Sequence, residues 1–269
     1  MPWLDTLDSF DPDALNQLVV GVAADVRCRD GGDHKHRMGQ LLFIHHGYIR
    51  LYLDELRWMC MLPPGRAAWI PAGMIHRTRV ARMVGYRSVW FDPGIDETLP
   101  DQPRVFAING LLGAALERIA AAPLTTDWTS GKWTHLLALA ASEIIEAPDE
   151  QMILPLPRDP RIGLSPDQFE DLPPTLEEFT ARRGASVRTI GRIFQRETGM
   201  AYQQWRQRWR LIRAIEMLSS NYRTTDVATS LRFASDSAFC SFFKGMTGQT
   251  PRAFRAAGPP NHEARAQSG

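Results

Sequence analysis

Residues 186–199 read Ser186-Val-Arg-Thr-Ile-Gly-Arg-Ile-Phe-Gln-Arg-Glu-Thr-Gly199, and residues 226–239 read Asp226-Val-Ala-Thr-Ser-Leu-Arg-Phe-Ala-Ser-Asp-Ser-Ala-Phe239. The first stretch opens on a serine, whose hydroxyl caps the free amides of a starting helix. Ile190, Ile193 and Phe194 then fall on one face of that helix. Upstream, Leu176, Phe179 and Thr180 mark another helix, and Gly184 stops it because glycine takes the left-handed turn without strain. Helix, glycine turn and capped helix make a helix-turn-helix unit, whose second helix suits the major groove. A longer helix, residues 202–218, is predicted next, with Trp205, Trp209, Ile212, Ile215 and Met217 inward. The pattern then recurs. A helix starts at Asp226, breaks at 232–234, and Ser235 caps residues 236–246, with Phe239, Phe242 and Phe243 inward.

The charge follows this division. Residues 173–257 hold fourteen basic and six acidic side chains, a net +8. The whole chain of 269 residues carries only +1 and its last twelve residues are neutral, so residues 1–172 carry −7. A basic helical module hangs on an acidic one, and clustered arginines on a small helical domain suit phosphates. Hydrophobic residues at 44% and charged residues at 23% fit a soluble globular protein. Cys28, Cys60 and Cys240 are far apart, which suits a reducing compartment and excludes a disulfide scaffold or a cysteine zinc site. The first residues are acidic where a signal peptide would be basic, and no apolar run approaches a membrane span. A cytoplasmic protein with no membrane partner is expected.

Before residue 93 the apolar runs are short, often alternating, and bounded by Gly, Pro and Asp: 18–22, 41–45, 49–53, 57–61, 67–70 and 86–91. This predicts an antiparallel all-β sandwich or barrel. From Asn109 the period becomes helical, with Leu112, Ala115, Leu116 and Ile119 on one face. Helices are expected over 109–122 and 132–147. The expected organisation is a β domain at 15–103, a helical dimerisation and linker region at 104–150, and a Pro-rich linker at 151–172. The DNA-binding module would span 173–257, with a disordered tail at 258–269.

Residues 175–255 resemble the double helix-turn-helix domain of the AraC/XylS family of bacterial transcription regulators. The likeness rests on the two stretches quoted above, on Trp205 and Arg210-Leu211, and on Phe243-Lys-Gly-Met-Thr-Gly248-Gln-Thr-Pro251-Arg-Ala-Phe-Arg255. It implies that Ser186, Arg188, Gly191, Arg192, Gln195 and Arg196 of the first recognition helix face DNA. Arg188 and Arg192 are then the best readers of guanine, because a guanidinium bonds O6 and N7 together. In the second unit the likeness points to Asp236, Ser237, Cys240 and Ser241, with Lys244 nearer the phosphates. Arg232 departs from the glycine usual in the second turn, and Gly191 from a larger exposed residue.

In the first domain, His34-x-His36-x3-Gln40-x6-Gly47 is followed by Gly65-x5-Pro71-x-Gly73-x2-His76. This order resembles the two motifs of the cupins, small double-stranded β-barrels. The likeness implies an all-β cupin-like effector-sensing barrel with His34, His36, Gln40 and His76 as a metal set for divalent Zn, Fe, Ni or Cu. Gln40 stands where a glutamate is usual and Val80 where an asparagine is usual, so an organic effector in the same pocket is the alternative. Arg50, Tyr52, Trp69 and Trp90 are candidate pocket residues, and Arg50, Arg66, Arg77 and Arg79 a candidate basic platform.

Together these features imply a regulator whose barrel senses a small molecule or metal and whose helical module binds double-stranded promoter DNA. It would be a homodimer, meeting RNA polymerase if it activates. The alternative is a metal-dependent cupin oxygenase or isomerase fused to a DNA-binding domain; no nucleophile triad, P-loop or dinucleotide fingerprint is present.

Overall fold

The computed structural model describes residue 4 and residues 10–95, 99–163 and 172–256. The expected disordered tail lies outside them. A 3-10 turn, Pro12–Leu15, precedes β1 (Val19–Val26), β2 (Arg29–Asp30), β3 (Gly39–Ile44), β4 (Ile49–Leu53) and β5 (Trp58–Leu62). Then come β6 (Arg66–Ile70), β7 (His76–Val80), β8 (Val84–Phe91) and β9 (Arg104–Ala107). Helices α1 (Gly110–Ala120) and α2 (Gly131–Glu146) lead to β10 (Ile153–Pro155). The second half is helical: α3 (Leu176–Arg183), α4 (Val187–Thr198), α5 (Tyr202–Ser219), α6 (Thr224–Ser230), α7 (Asp236–Thr247) and α8 (Pro251–Ala256).

The strands form two five-stranded antiparallel sheets, ordered β1-β8-β3-β6-β9 and β10-β5-β4-β7-β2. Alternation assigns each strand two faces. Val20, Val22 and Ala24 of β1 and Leu42 and Ile44 of β3 join the core shared with the second sheet. Val19, Leu41 and Phe43 face the other way and join a separate core with Leu112, Leu116 and Ile119 of α1 and Leu137 and Ile144 of α2. That is why β1 and β3 read as nearly continuous apolar runs: both faces are covered. Gly21 permits the close fit, since a Cβ there would sit 2.6 Å from the Ala120 backbone.

The helical module packs on the second sheet, α5 lying against β5 and β10. Met59 and Met61 of β5 meet Trp209 and Ile212 of α5. Trp205, fully buried, donates from Nε1 to the Pro155 carbonyl at 2.7 Å, and Arg208 reaches the Ile153 carbonyl at 3.3 Å. One continuous apolar core therefore runs from the barrel interior into the helical module.

Three segments differ from expectation. The span expected as a Pro-rich linker contains β10, with Met152, Leu154, Leu156 and Ile162 buried, so this part of it is packed structure. The span expected as a helical dimerisation and linker region begins with β9, paired to β6. β7, His76-Arg77-Thr78-Arg79-Val80, escaped recognition because arginines occupy its half-buried positions.

In the helical module the local signals act as anticipated. Gly184 ends α3 with φ +64°, Ser186 caps α4 through Thr189 N, and Ser235 caps α7 through Ala238 N. In addition, Thr175 and Glu178, not singled out from the sequence, form a reciprocal capping box at the start of α3. Arg232 adopts the left-handed conformation, φ +55°, so the second turn keeps its geometry without glycine.

Candidate sensor cavity and nucleic-acid interface

His34 and His36 lie in the loop between β2 and β3. The loop is brought to β7 by a single bridge: His34 N donates to the His76 carbonyl at 3.0 Å and His76 N to the His34 carbonyl at 2.8 Å. The three rings converge, with centroids 4.3 Å apart for His34 and His76, 5.1 Å for His34 and His36, and 5.3 Å for His36 and His76. One ring nitrogen from each lies within 4.8 Å of the other two.

The tautomers follow from the hydrogen bonds. His34 Nδ1 meets the Gly32 carbonyl at 3.1 Å and His76 Nδ1 the Met74 carbonyl at 3.0 Å. A carbonyl only accepts, so both Nδ1 atoms carry protons, which makes Nε2 the ligand atom of each ring when it binds a metal. His76 is 2% exposed, and its Nε2 is buried with no hydrogen-bond partner among the described residues. Burial pushes the His76 pKa down to about 3, reinforced by His34 and His36 and opposed by the Met74 carbonyl, so the ring is neutral near pH 7. Burial, with His34 nearby, also lowers His36. Three imidazoles with convergent ring nitrogens fit a divalent metal such as Zn, Fe, Ni or Cu.

Beside them is a cavity of about 390 Å³, lined by His34, His36, Gln40, Tyr86 and Trp90 and by Phe10, Asp11 and Asp13 of the N-terminal segment. Gln40 is buried; its amide donates to Tyr86 Oη at 3.2 Å and Ser88 Oγ at 2.9 Å, leaving Oε1 buried without a partner. Trp90 Nε1 is likewise buried and unpartnered. Asp11 and Asp13 carry no sequence motif. Each nonetheless offers a carboxylate oxygen within 4.8 Å of a His36 nitrogen, a proximity only the fold creates.

The other expected pocket residues lie elsewhere. Trp69 packs in the core beneath α1 and α2 and donates to the Pro100 carbonyl at 2.7 Å. Tyr52 is buried in the shared core. The arginines expected as a basic platform are spent on other contacts. Arg77 and Arg79 hold Asp30, and Arg66 is buried against Glu150 with its guanidinium 3.9 Å from the Phe254 ring centre. Arg50 pairs with Glu216 at 2.9 Å. His45 pairs with Glu117 at 2.8 Å, away from the cavity.

On α4, Arg188, Arg192 and Gln195 are exposed on one helical face, and Gly191 is half-buried beside them. Among the described residues no ion pair engages Arg188 or Arg192. Arg196 is exposed but engaged: its guanidinium lies 3.1 Å from Asp159 and 2.7 Å from Glu197. Gln195 turns back to the Gly199 carbonyl at 3.1 Å. On α7, Asp236, Ser237, Ser241 and Lys244 are exposed, while Cys240 is half-buried against the core. α5 packs against α4, α6 and α8 on one side and against β5 and β10 on the other.

Residues 18–124 match a family model described as an AraC-like ligand binding domain, and residues 179–257 match one described as a helix-turn-helix domain. The HTH-type transcriptional regulator NimR of Escherichia coli is 28% identical over 250 residues, 91% of this chain and 90% of that protein. The HTH-type transcriptional regulator RipA of Corynebacterium glutamicum is 35% identical over 80 residues, 30% of this chain and 24% of that protein. A crystal structure of unsaturated fatty acid bound ToxT from Vibrio cholerae aligns over 91% of this chain and 97% of that one, at 10% identity and a TM-score of 0.35, a likeness too slight to carry an argument. With a β domain that binds ligands followed by a double helix-turn-helix, the chain belongs to the AraC family of DNA-binding transcription regulators.

Proposed function

We propose that this regulator is switched by a divalent metal, or by a small molecule, held at the cavity beside His34, His36 and His76. The observation that carries the reading is the double role of α5. It joins the two helix-turn-helix units and is also the helix seated on the sensor sheet. An occupant that shifts the sheet against α5 changes the arrangement in which α4 and α7 meet DNA, which is a population shift between two states.

In this reading Arg188 and Arg192 contact bases, and Ser186, Gly191, Gln195, Asp236, Ser237, Cys240 and Ser241 fit around them, with Arg196 and Lys244 at the phosphates. The protein acts in the cytoplasm as a regulator and not as an enzyme, which the pairing of a ligand-binding with a DNA-binding domain supports. Leu111 of α1 and Leu139 and Ile145 of α2 are exposed apolar side chains, and we assign them to a homodimer contact. RNA polymerase is a partner if the protein activates. Among the described residues no helix is long and apolar enough to cross a membrane.

The test is footprinting on the DNA upstream of the protein's own gene and of its neighbours, at two salt concentrations, with Zn2+ or a chelator. A discrete footprint that weakens with salt and changes with metal supports the reading. A footprint indifferent to metal removes the metal as effector, and nonspecific binding alone removes the regulatory site.

A further inference from the structure

We propose that the N-terminal turn supplies the carboxylate of the metal site, with Asp13 as the ligand and Asp11 beside it, so that the ion pins this turn to the barrel. The inference rests on the metal reading given above and says which residues complete the set.

Three neutral imidazoles hold a divalent ion without offsetting its charge. The cupin-like pattern places glutamine at position 40, and the Gln40 amide is committed to Tyr86 and Ser88. The charge is instead found on another element. Carboxylate oxygens of Asp11 and Asp13 and a ring nitrogen of His36 lie within 4.8 Å of one another, and His36 is also a member of the histidine cluster. His76 contributes an independent sign of a missing ligand: its Nε2 is buried without a hydrogen-bond partner among the described residues, and one of its ring nitrogens lies within 4.8 Å of a ring nitrogen of His36.

Asp13 is held beside His36 by backbone amides. It accepts from the amide of Arg37 at 2.7 Å and from that of Met38 at 3.4 Å, the two residues that follow His36 in the chain. Asp11 accepts from the Asp13 amide at 2.9 Å and caps the Pro12–Leu15 turn. Backbone amides thus fix the carboxylates, as hydrogen bonds around metal ligands commonly do. A set of imidazole and carboxylate donors suits Zn2+ and the neighbouring first-row ions.

The experiment is a calorimetric titration of the untagged full chain with Zn2+, repeated with Co2+ and its absorption spectrum. It compares wild type with Asp13→Asn, Asp11→Asn, the double variant and His34→Ala. Asparagine keeps one acceptor oxygen, which retains the 2.7 Å bond from the Arg37 amide, while the charge and the longer bond from the Met38 amide are lost. His34 is half-buried and belongs to neither apolar core, so its removal spares the core. The proposal expects one equivalent in wild type, at least about a tenfold loss of affinity in Asp13→Asn with an altered Co2+ spectrum, and a further loss in the double variant. Wild-type affinity and spectrum in the double variant, with loss only in His34→Ala, would overturn the carboxylate assignment and leave the histidine site standing. Binding of less than about a tenth of an equivalent by wild type would overturn both.

Discussion

Arg50 Nη2 on β4 lies 2.9 Å from Glu216 Oε1 on α5, so an ion pair crosses from the sensor sheet to the helix that carries both DNA-reading units. Both groups are mostly buried, and Arg213 meets the second Glu216 oxygen at 2.6 Å. Arg50→Met leaves Glu216 with Arg213 on its own helix and removes the cross-domain bond. We expect a loss of about 2 kcal/mol in urea unfolding, the usual worth of a hydrogen bond to a charged group. We also expect a weaker effect of Zn2+ on DNA affinity. Unchanged stability together with unchanged metal response would show that this pair does not couple the domains.

Arg188 and Arg192 are exposed without acidic partners among the described residues, whereas Arg196 is held by Asp159 and Glu197. Arg192→Ala should weaken operator binding by about 1–3 kcal/mol, with Arg188→Ala alike, and both should relax base preference. Arg196→Ala should act evenly across sequences and lower the salt slope by about 1, as loss of a phosphate contact does. Fluorescence anisotropy on specific and scrambled duplexes separates the two behaviours.

Arg232 sits at φ +55° between α6 and α7. A side chain in the left-handed region costs roughly 1–2 kcal/mol, and glycine removes that cost while loosening the unfolded chain. Arg232→Gly should therefore raise stability by about 0.5–1 kcal/mol, read as a higher urea midpoint. A lower midpoint would mean that the arginine side chain makes a stabilising contribution that outweighs the strain.

Glu197 ties the segment before the helical module to α4. Burial favours its neutral form, but Arg196 and the backbone amides of Asp159 and Arg158 outweigh it and hold the carboxyl below its usual 4.5. The folded value is depressed, so this stabilisation is present above pH 4.5 and is lost as pH falls through the folded value. The fall in urea midpoint between neutral pH and about pH 4 or below should shrink in Glu197→Gln. An equal fall in the variant would exclude Glu197 as a contributor.

The helical module was legible because its signals are local. Ser186, Ser235, Gly184 and the apolar stripes act within a few residues of where they stand, and each appears as expected. The barrel was legible where strands alternate or run apolar, and illegible where they do not. β7 carries arginines, β9 is short, and β10 ends on Pro155, which only its edge position permits. His34, His36 and His76 were visible as a spacing. Asp11 and Asp13 were not, because the turn that brings them to His36 is held by contacts to residues more than twenty positions away. The pairing of Arg50 with Glu216, 166 residues apart, has no local trace at all.

The central claim is that an occupant beside His34, His36 and His76 alters DNA binding through α5. It is tested most directly by the affinity of the full chain for its own upstream DNA, with and without saturating Zn2+, in wild type and in His34→Ala. The account predicts a metal-dependent change in wild type, at least about fivefold, as an allosteric coupling of ordinary size requires. It predicts that His34→Ala binds the same DNA with the metal-free affinity at every Zn2+ concentration. Equal affinities in wild type with and without metal, or an identical metal response in His34→Ala, would contradict it.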